Sequence, residues 1–171
     1  IFTDEVLSKY KILFRVFAVL RRIALRLSSC MRKGGSLVFQ KHICIIQQIT
    51  QSFYSFLLND VVAFEWGRMA EELSSSTDVE SMLKIHDQFL TTCVQRSTFA
   101  NAKIVACWDR IDQEVSDLAL NPCDEMAAKS SRSARLFFDL IKYYSSKNHE
   151  HHLLLLVSKL DLGCFYADTM A

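Results

Sequence analysis

The sequence predicts an all-α fold, a helical bundle of about six helices including one long helix. Three observations carry this. One Pro and four Gly in 171 residues leave few chain breakers, whereas an all-β domain needs turn residues at short intervals. Half of the residues are hydrophobic, enough to fill one domain core at this length. No segment alternates apolar and polar residues as a half-buried strand does, while several place apolar residues three and four apart.

The first helix is expected from Asp4 to Leu27. Thr3 is a suitable N-cap, and Asp4 and Glu5 complement the positive end of the helix dipole. Val6, Leu7, Tyr10, Leu13, Phe14, Phe17, Leu20, Ala24 and Leu27 share one broad face, with Lys11, Arg15, Arg22 and Arg26 opposite. Adding Ile12, Val16 and Ile23 widens the apolar arc past half the circumference, so this helix must touch more than one neighbour. Gly34-Gly35 ends it.

A long second helix is expected from Leu37 to beyond Phe64, with Phe39, Ile43, Ile46, Phe53, Leu57 and Phe64 on one stripe. At the helical rise it would be about 40 Å long. Ser74-Ser75-Ser76 breaks the pattern. Thr77 with Glu80 then reads as a capping box opening a third helix, which carries Val79, Met82, Leu83, His86, Phe89, Leu90 and Cys93. A fourth is expected over 101–120, closing at Asn121-Pro122. A Ser/Lys/Arg-rich link, 129–133, leads to a fifth over 133–144, and a sixth over 149–162 ends at Gly163. Phe14, Trp66, Phe89 and Tyr166 are expected in the core.

Charge and cysteine usage narrow the function classes. Residues 1–41 hold nine Lys/Arg against two acids, a net +7, and residues 42–95 hold two against seven, a net −5. Such asymmetry points to an acidic partner near the N-terminal part or to pairing between the two segments. Six scattered cysteines without a C-x-x-C spacing read as reduced, intracellular thiols. Residues 42–59 lack Asp, Glu, Lys and Arg before Asn59 but are too rich in Gln, Ser and Thr for hydrocarbon, so no membrane span is expected. No signal peptide is legible, and a start at Ile1 reads as a fragment or a processed chain.

Candidate chemistry is thin. His149 and His152 are three apart, as a helical metal pair can be, yet no third ligand or general base accompanies them; a solvated helix start is the better account, and no metal or cofactor is expected. Cys93 or Cys107 with His86 would need a positioned base and an oxyanion site to act as a nucleophile. Cys93 lies one heptad from His86 on an apolar face, where thiols are usually structural. Glycine-rich phosphate loops are absent. The Lys11/Arg15/Arg22/Arg26 stripe lacks interleaved exposed aromatics, and the sequence pI is about 7.8, which speaks against nucleic acid. The stretch 61–90, with Glu65, Trp66 and His86, reads as a helix–break–helix seam.

Four segments in order then carry a resemblance: Tyr10-Lys11-Ile12-Leu13-Phe14-Arg15; Val61-Val62-Ala63-Phe64-Glu65-Trp66; Asp78 with His86, Phe89, Leu90 and Cys93; and Lys159-Leu160-Asp161-Leu162-Gly163-Cys164-Phe165-Tyr166. They resemble the C-terminal domain of the gamma-tubulin complex proteins, with its Y-x-x-L/I-F-R-type helix, E-P-x-W-like helix end, D…H-x-x-F-L-x-x-C helix and R-L-D-F-N-x-Y-Y-like tail. No proline precedes Trp66, and Lys159, Leu162 and Gly163 stand where Arg, Phe and Asn are usual, which marks a divergent member. The resemblance implies that residues 1–171 are the later part of a larger helical, gamma-tubulin-binding domain. It further implies lateral contacts with other family members through an N-terminal domain outside this chain. The implied function is non-enzymatic: positioning gamma-tubulin in a ring that templates microtubule nucleation at a centrosome or spindle pole. Tubulins are acidic, so Lys11, Arg22 and Arg26 are the expected partner contacts at a rim. The alternative is a generic helical adaptor or a GTPase-regulatory domain that supplies an arginine.

Overall fold

The computed structural model describes residues 3–99, 101–148 and 151–161. These form α1 (Asp4–Lys33), α2 (Leu37–Ser55), a π-helical stretch (Phe56–Ala63), α3 (Phe64–Ser75), α4 (Val79–Arg96), α5 (Ala102–Leu120), α6 (Asp124–Asn148) and α7 (His151–Leu160). The segments from α2 to α3 are one uninterrupted column, so six helical rods make up the described residues, none of which is in a strand. The expected all-α bundle with one long helix is what the chain adopts.

Local signals set the boundaries. Thr3 caps α1 by accepting from the Val6 N–H, and Ser36 caps α2 by accepting from Phe39 at 2.9 Å. Gly34 ends α1 at φ 76°, a left-handed conformation that a side chain would strain, and its N–H reaches the Met31 carbonyl. At Gly35 an added Cβ would lie 2.7 Å from the Phe39 ring. The third predicted helix is capped one residue later than the expected capping box. Asp78, not Thr77, accepts the Ser81 N–H at 2.7 Å, a stronger bond because the acceptor is ionised.

Phe53 is the hub of the core. Its ring lies 5.3 Å from Trp108, 5.1 Å from Phe137, 6.1 Å from Phe99 and 6.4 Å from Phe56. These five rings join α2, the π-helical stretch, α5, α6 and the turn before α5. Thr98, at φ 62°, makes the tight return that brings Phe99 back to that cluster. Around it α1 packs on α2, α4 and α5, while α6 packs on α2, α5 and α7.

Three sequence expectations fail for physical reasons. The stretch 129–133 is no link but lies inside α6, where Ala127, Ser130, Ser131, Ser133 and Ala134 are buried. Small side chains at those positions let α6 approach its neighbours closely, and Ser130 satisfies its hydroxyl on the Met126 carbonyl. Phe64 leaves the predicted stripe and is exposed, while Glu65 takes the buried position. The π-helical stretch causes this: its wider i→i+5 turns absorb one extra residue and rotate everything after it. Beyond Phe53 and Phe56 the buried series runs Leu57, Val61, Glu65, Met69, in steps of four only. Finally, Phe14 and Trp66 are not core residues, being 76% and 59% exposed; Phe89 is buried as expected, and Trp108 is the tryptophan that fills the centre. Tyr166 and the rest of the predicted tail motif beyond Asp161 lie outside the described residues, as does His149.

Candidate partner-binding surface

The residues weighed for chemistry are engaged in holding helices together. Glu65, 4% exposed, receives Arg96 from the end of α4 and Arg68 from its own helix at 3.2 Å. A carboxylate that deep needs such partners, and the pair ties α3 to α4. His86 Nε2 meets the Tyr10 hydroxyl at 2.8 Å, and beside it Lys9 bridges Asp87 at 2.7 Å and Glu5 at 3.0 Å. These bonds strap the first half of α1 along α4. Burial pushes the Cys93 thiol up to about 12, with the Glu65 charge adding to the effect, and burial pushes Cys107 to about 11. Protonated thiols without an adjacent base are poor nucleophiles. Among the described residues no group of three or more His, Cys, Asp or Glu is placed to hold a metal ion. No described helix is long and apolar enough to cross a membrane.

Pairing between charged segments does occur, but α5 supplies most of the acids. Arg22 grips Asp112 through Nε at 3.1 Å and Nη2 at 2.5 Å, and Arg26 reaches the same carboxylate at 2.9 Å. Arg15 lies 3.4 Å from Asp109, and Lys33 donates to the Ala119 carbonyl at 3.0 Å. From residues 42–95 only Asp87 takes a cation of α1, Lys9. The three predicted contact residues therefore separate. Arg22 and Arg26 come together on Asp112, each keeping part of its guanidinium in water, whereas Lys11 is exposed and makes no ion pair among the described residues.

What sequence reasoning missed is apolar. α1 divides into two halves. Its later part buries Val16, Val19, Leu20, Ile23, Leu27 and Cys30, but before Val16 only Val6 is fully buried. Leu7, Tyr10 and Phe14, at i, i+3 and i+7, stay exposed on one line beside Lys11. Between this half-helix and α4 runs an open groove of about 600 Å³, floored by Val6 and Leu83 and edged by Glu5, Glu80, Lys84 and Asp87. Val79, Met82 and Leu83 are exposed apolar side chains of α4, as Phe64 and Trp66 are of α3. Trp66 stands edge-on to Phe89 at 5.9 Å, fixed on one side and open on the other. The width of the α1 apolar arc was the signal available in the sequence.

The described residues form a helical frame that leaves large apolar side chains in water, and the residues weighed for chemistry are engaged in bonds between its helices. Residues 1–120 match the family described as gamma tubulin complex component C-terminal, and the chain belongs to that family. Gamma-tubulin complex component 4 of Mus musculus is 24% identical over 199 residues, covering 97% of this chain and 28% of that protein. Its Homo sapiens counterpart is 24% identical over 196 residues with the same coverage. Spindle pole body component alp4 of Schizosaccharomyces pombe is 21% identical over 155 residues, 81% of this chain and 19% of that protein. The chain thus spans less than a third of the length of the curated relatives it matches.

The motif residues now have structural roles. Tyr10 and His86 form the α1–α4 bond, Arg15 reaches Asp109, Glu65 holds Arg96, Asp78 caps α4, and Lys159 pairs with Asp60 of the π-helical stretch.

Proposed function

We propose that residues 1–171 are the later part of a gamma-tubulin-binding helical domain, acting as a non-enzymatic scaffold that positions gamma-tubulin in a ring complex for microtubule nucleation. The observation that carries this reading is the uncovered line Leu7, Tyr10 and Phe14, which lies within the stretch matched to the family. Exposed apolar residues on a rigid helix supply affinity, and neighbouring charges steer association with an acidic partner. Lys11 is the free cation beside that line; Arg22 and Arg26 offer their solvent-facing edges at its far end. Other gamma-tubulin complex proteins would be lateral partners through parts outside this chain, and a microtubule-organizing centre the site of action. The names of the relatives, a gamma-tubulin complex component and a spindle pole body component, support this assignment. Against a GTPase-activating role, three of the α1 arginines, Arg15, Arg22 and Arg26, are held on Asp109 and Asp112 rather than free to serve as a finger.

The test is co-purification of gamma-tubulin with the full-length protein, with and without residues 1–171, and with a Leu7→Glu/Phe14→Glu double variant. Loss on deletion and in the double variant, with helix content unchanged in the latter, is the expected result. Capture that survives deletion would refute the binding-domain reading. Capture lost on deletion but kept in the double variant would move the contact surface to α3 and α4.

A further inference from the structure

Among the described residues five lysines and arginines are half-buried: Lys9, Arg26, Arg96, Arg135 and Lys159. Four of them have a carboxylate partner, respectively Asp87, Asp112, Glu65 and Asp60. Arg135 has none, and its Nε is buried without a hydrogen-bond partner. The other four half-buried cations each meet a counter-charge within the fold. Arg135 alone of the five leaves its charge open to a partner from outside the chain.

The surroundings of Arg135 sharpen the requirement. It sits on α6, which packs on α2, one turn from exposed Arg132, and the charges of Arg135, Arg132 and exposed Lys41 all act on His42 of α2. The His42 Nδ1 is the second buried polar atom here without a partner. Arg132, Arg135 and Lys41 contact no carboxylate among the described residues. Asp124, the one acid acting on His42, already accepts the Ser36 hydroxyl at 2.7 Å, and Asp139, one turn beyond Arg135, lines the separate α5–α6 groove. Burial and these three positive charges hold His42 below the usual imidazole range, so it is neutral at pH 7 and offers one N–H.

We propose that Lys41, His42, Arg132 and Arg135 form a binding site for a phosphate-type dianion at the α2–α6 seam. Three fixed charges are matched by a compact dianion better than by a single carboxylate. Its several acceptor oxygens can take donors from Arg135, Arg132 and Lys41 together with the imidazole N–H. The ligand chemistry is shared by free phosphate and by a phosphorylated side chain of a partner.

Calorimetric titration of the intact protein with inorganic phosphate and with a phosphoserine peptide tests this, a peptide with Glu at the modified position serving as the comparison. Lys41→Gln and Arg132→Gln change exposed side chains and leave the core untouched; Arg21→Gln, another exposed and unpaired cation, is the control. The expected result is saturable binding that each of the first two variants weakens by roughly threefold to fivefold, with Arg21→Gln unchanged. Tighter binding of the phosphopeptide than of phosphate would assign the site to a modified partner, and equal binding to the free anion. Absence of saturable binding for both probes would overturn the proposal. So would equal effects of Arg132→Gln and Arg21→Gln, or binding of the Glu peptide as tight as that of the phosphopeptide.

Discussion

Deleting Asn59 should leave the fold intact, whereas deleting Gln48 eleven positions earlier should destroy it. Both residues are exposed on the same helical column. The difference lies in helical phase. Sixteen positions separate Phe53 from Met69, and at about 100° per residue a continuous α-helix would place them about 160° apart. Both are buried, which the π-helical stretch makes possible. Removing Asn59 shortens the interval by one residue and brings the two within about 60° in a plain α-helix, inside an apolar stripe roughly 100° wide. The cost is the re-aimed Asp60–Lys159 pair, partly exposed at both ends and contributing about 1 kcal/mol at most. Removing Gln48 instead turns Ile49, Phe53, Phe56 and Leu57 out of the core even if the π turns relax to compensate further on. At about 1.5 to 3 kcal/mol each, that loss is comparable with the whole stability of a domain. Thermal unfolding followed by circular dichroism separates the two. For Asn59 deletion the midpoint should fall by no more than about 4 °C, and for Gln48 deletion no cooperative transition should remain. An Asn59 deletion that unfolds as fully as the Gln48 deletion would refute the phase argument and make the wide turns a structural requirement.

Glu65→Ala should destabilise by about 1.5 to 3 kcal/mol, since the charged hydrogen bonds go while Arg96 and Arg68 regain water; chemical denaturation measures it, and a change under 0.5 kcal/mol would contradict the α3–α4 clamp. Asp112→Asn should lower the thermal midpoint by about 2 to 6 °C through loss of its pairing to Arg22 and Arg26, with the decrease shrinking at high salt. Cys44 and Cys123, both exposed, should react with a thiol reagent at pH 8, half-buried Cys107 more slowly because its thiol stays protonated, and buried Cys93 only on unfolding. The folded-state value of Cys93 is raised from the ordinary 9.0 to about 12, so its contribution is fully present below pH 9 and is lost as the pH rises from 9 toward 12; alkaline unfolding should be delayed in Cys93→Ser relative to its midpoint at pH 8. Asp78→Ala should raise amide exchange in the first turn of α4, and Thr77→Ala should not, because only Asp78 accepts from Ser81. Its carboxyl is held below the usual range first by the Ser81 hydroxyl and then by the Ser81 N–H, so the cap weakens as acidification protonates it.

Periodicity made the bundle legible because most rods keep a single phase from cap to cap. Thr3 announces a helix start in the sequence and performs that role in the fold, where Ser36 and Asn101 cap α2 and α5 in the same way. The failures cluster where a local rule meets a tertiary one. The π-helical stretch is invisible to a 100° step, although the unbroken four-residue spacing from Leu57 to Met69 is its trace. Residues 129–133 look like a linker by composition, yet their serines recur on the buried side of α6 with Ala127, Ala134 and Ile141. Trp66, expected in the core, sits one residue past buried Glu65 and is turned outward. The site was less legible than the fold, because a sequence shows that α1 is wide in its apolar arc but not which part of that arc its neighbours leave uncovered.

The division of α1 also ranks its charged residues. A cation already bonded to a carboxylate must break or share that bond to engage a partner, so its contribution to binding is reduced by what the fold loses. Arg22 and Arg26 share Asp112 and gain little from meeting a further acidic group, while their loss weakens the α1–α5 contact. Lys11 carries no such cost and stands one residue from Tyr10 and three from Phe14, on the half-helix that the bundle leaves open. The later half of α1 is therefore an anchor, clamped by α2 and α5, and the earlier half is a rib strapped to α4 through Lys9 and Tyr10 and touching α5 through Arg15. An apolar rib on a fixed anchor presents its side chains in one orientation, which a scaffold that works by positioning a partner requires and which a flexible tail with the same residues would lack.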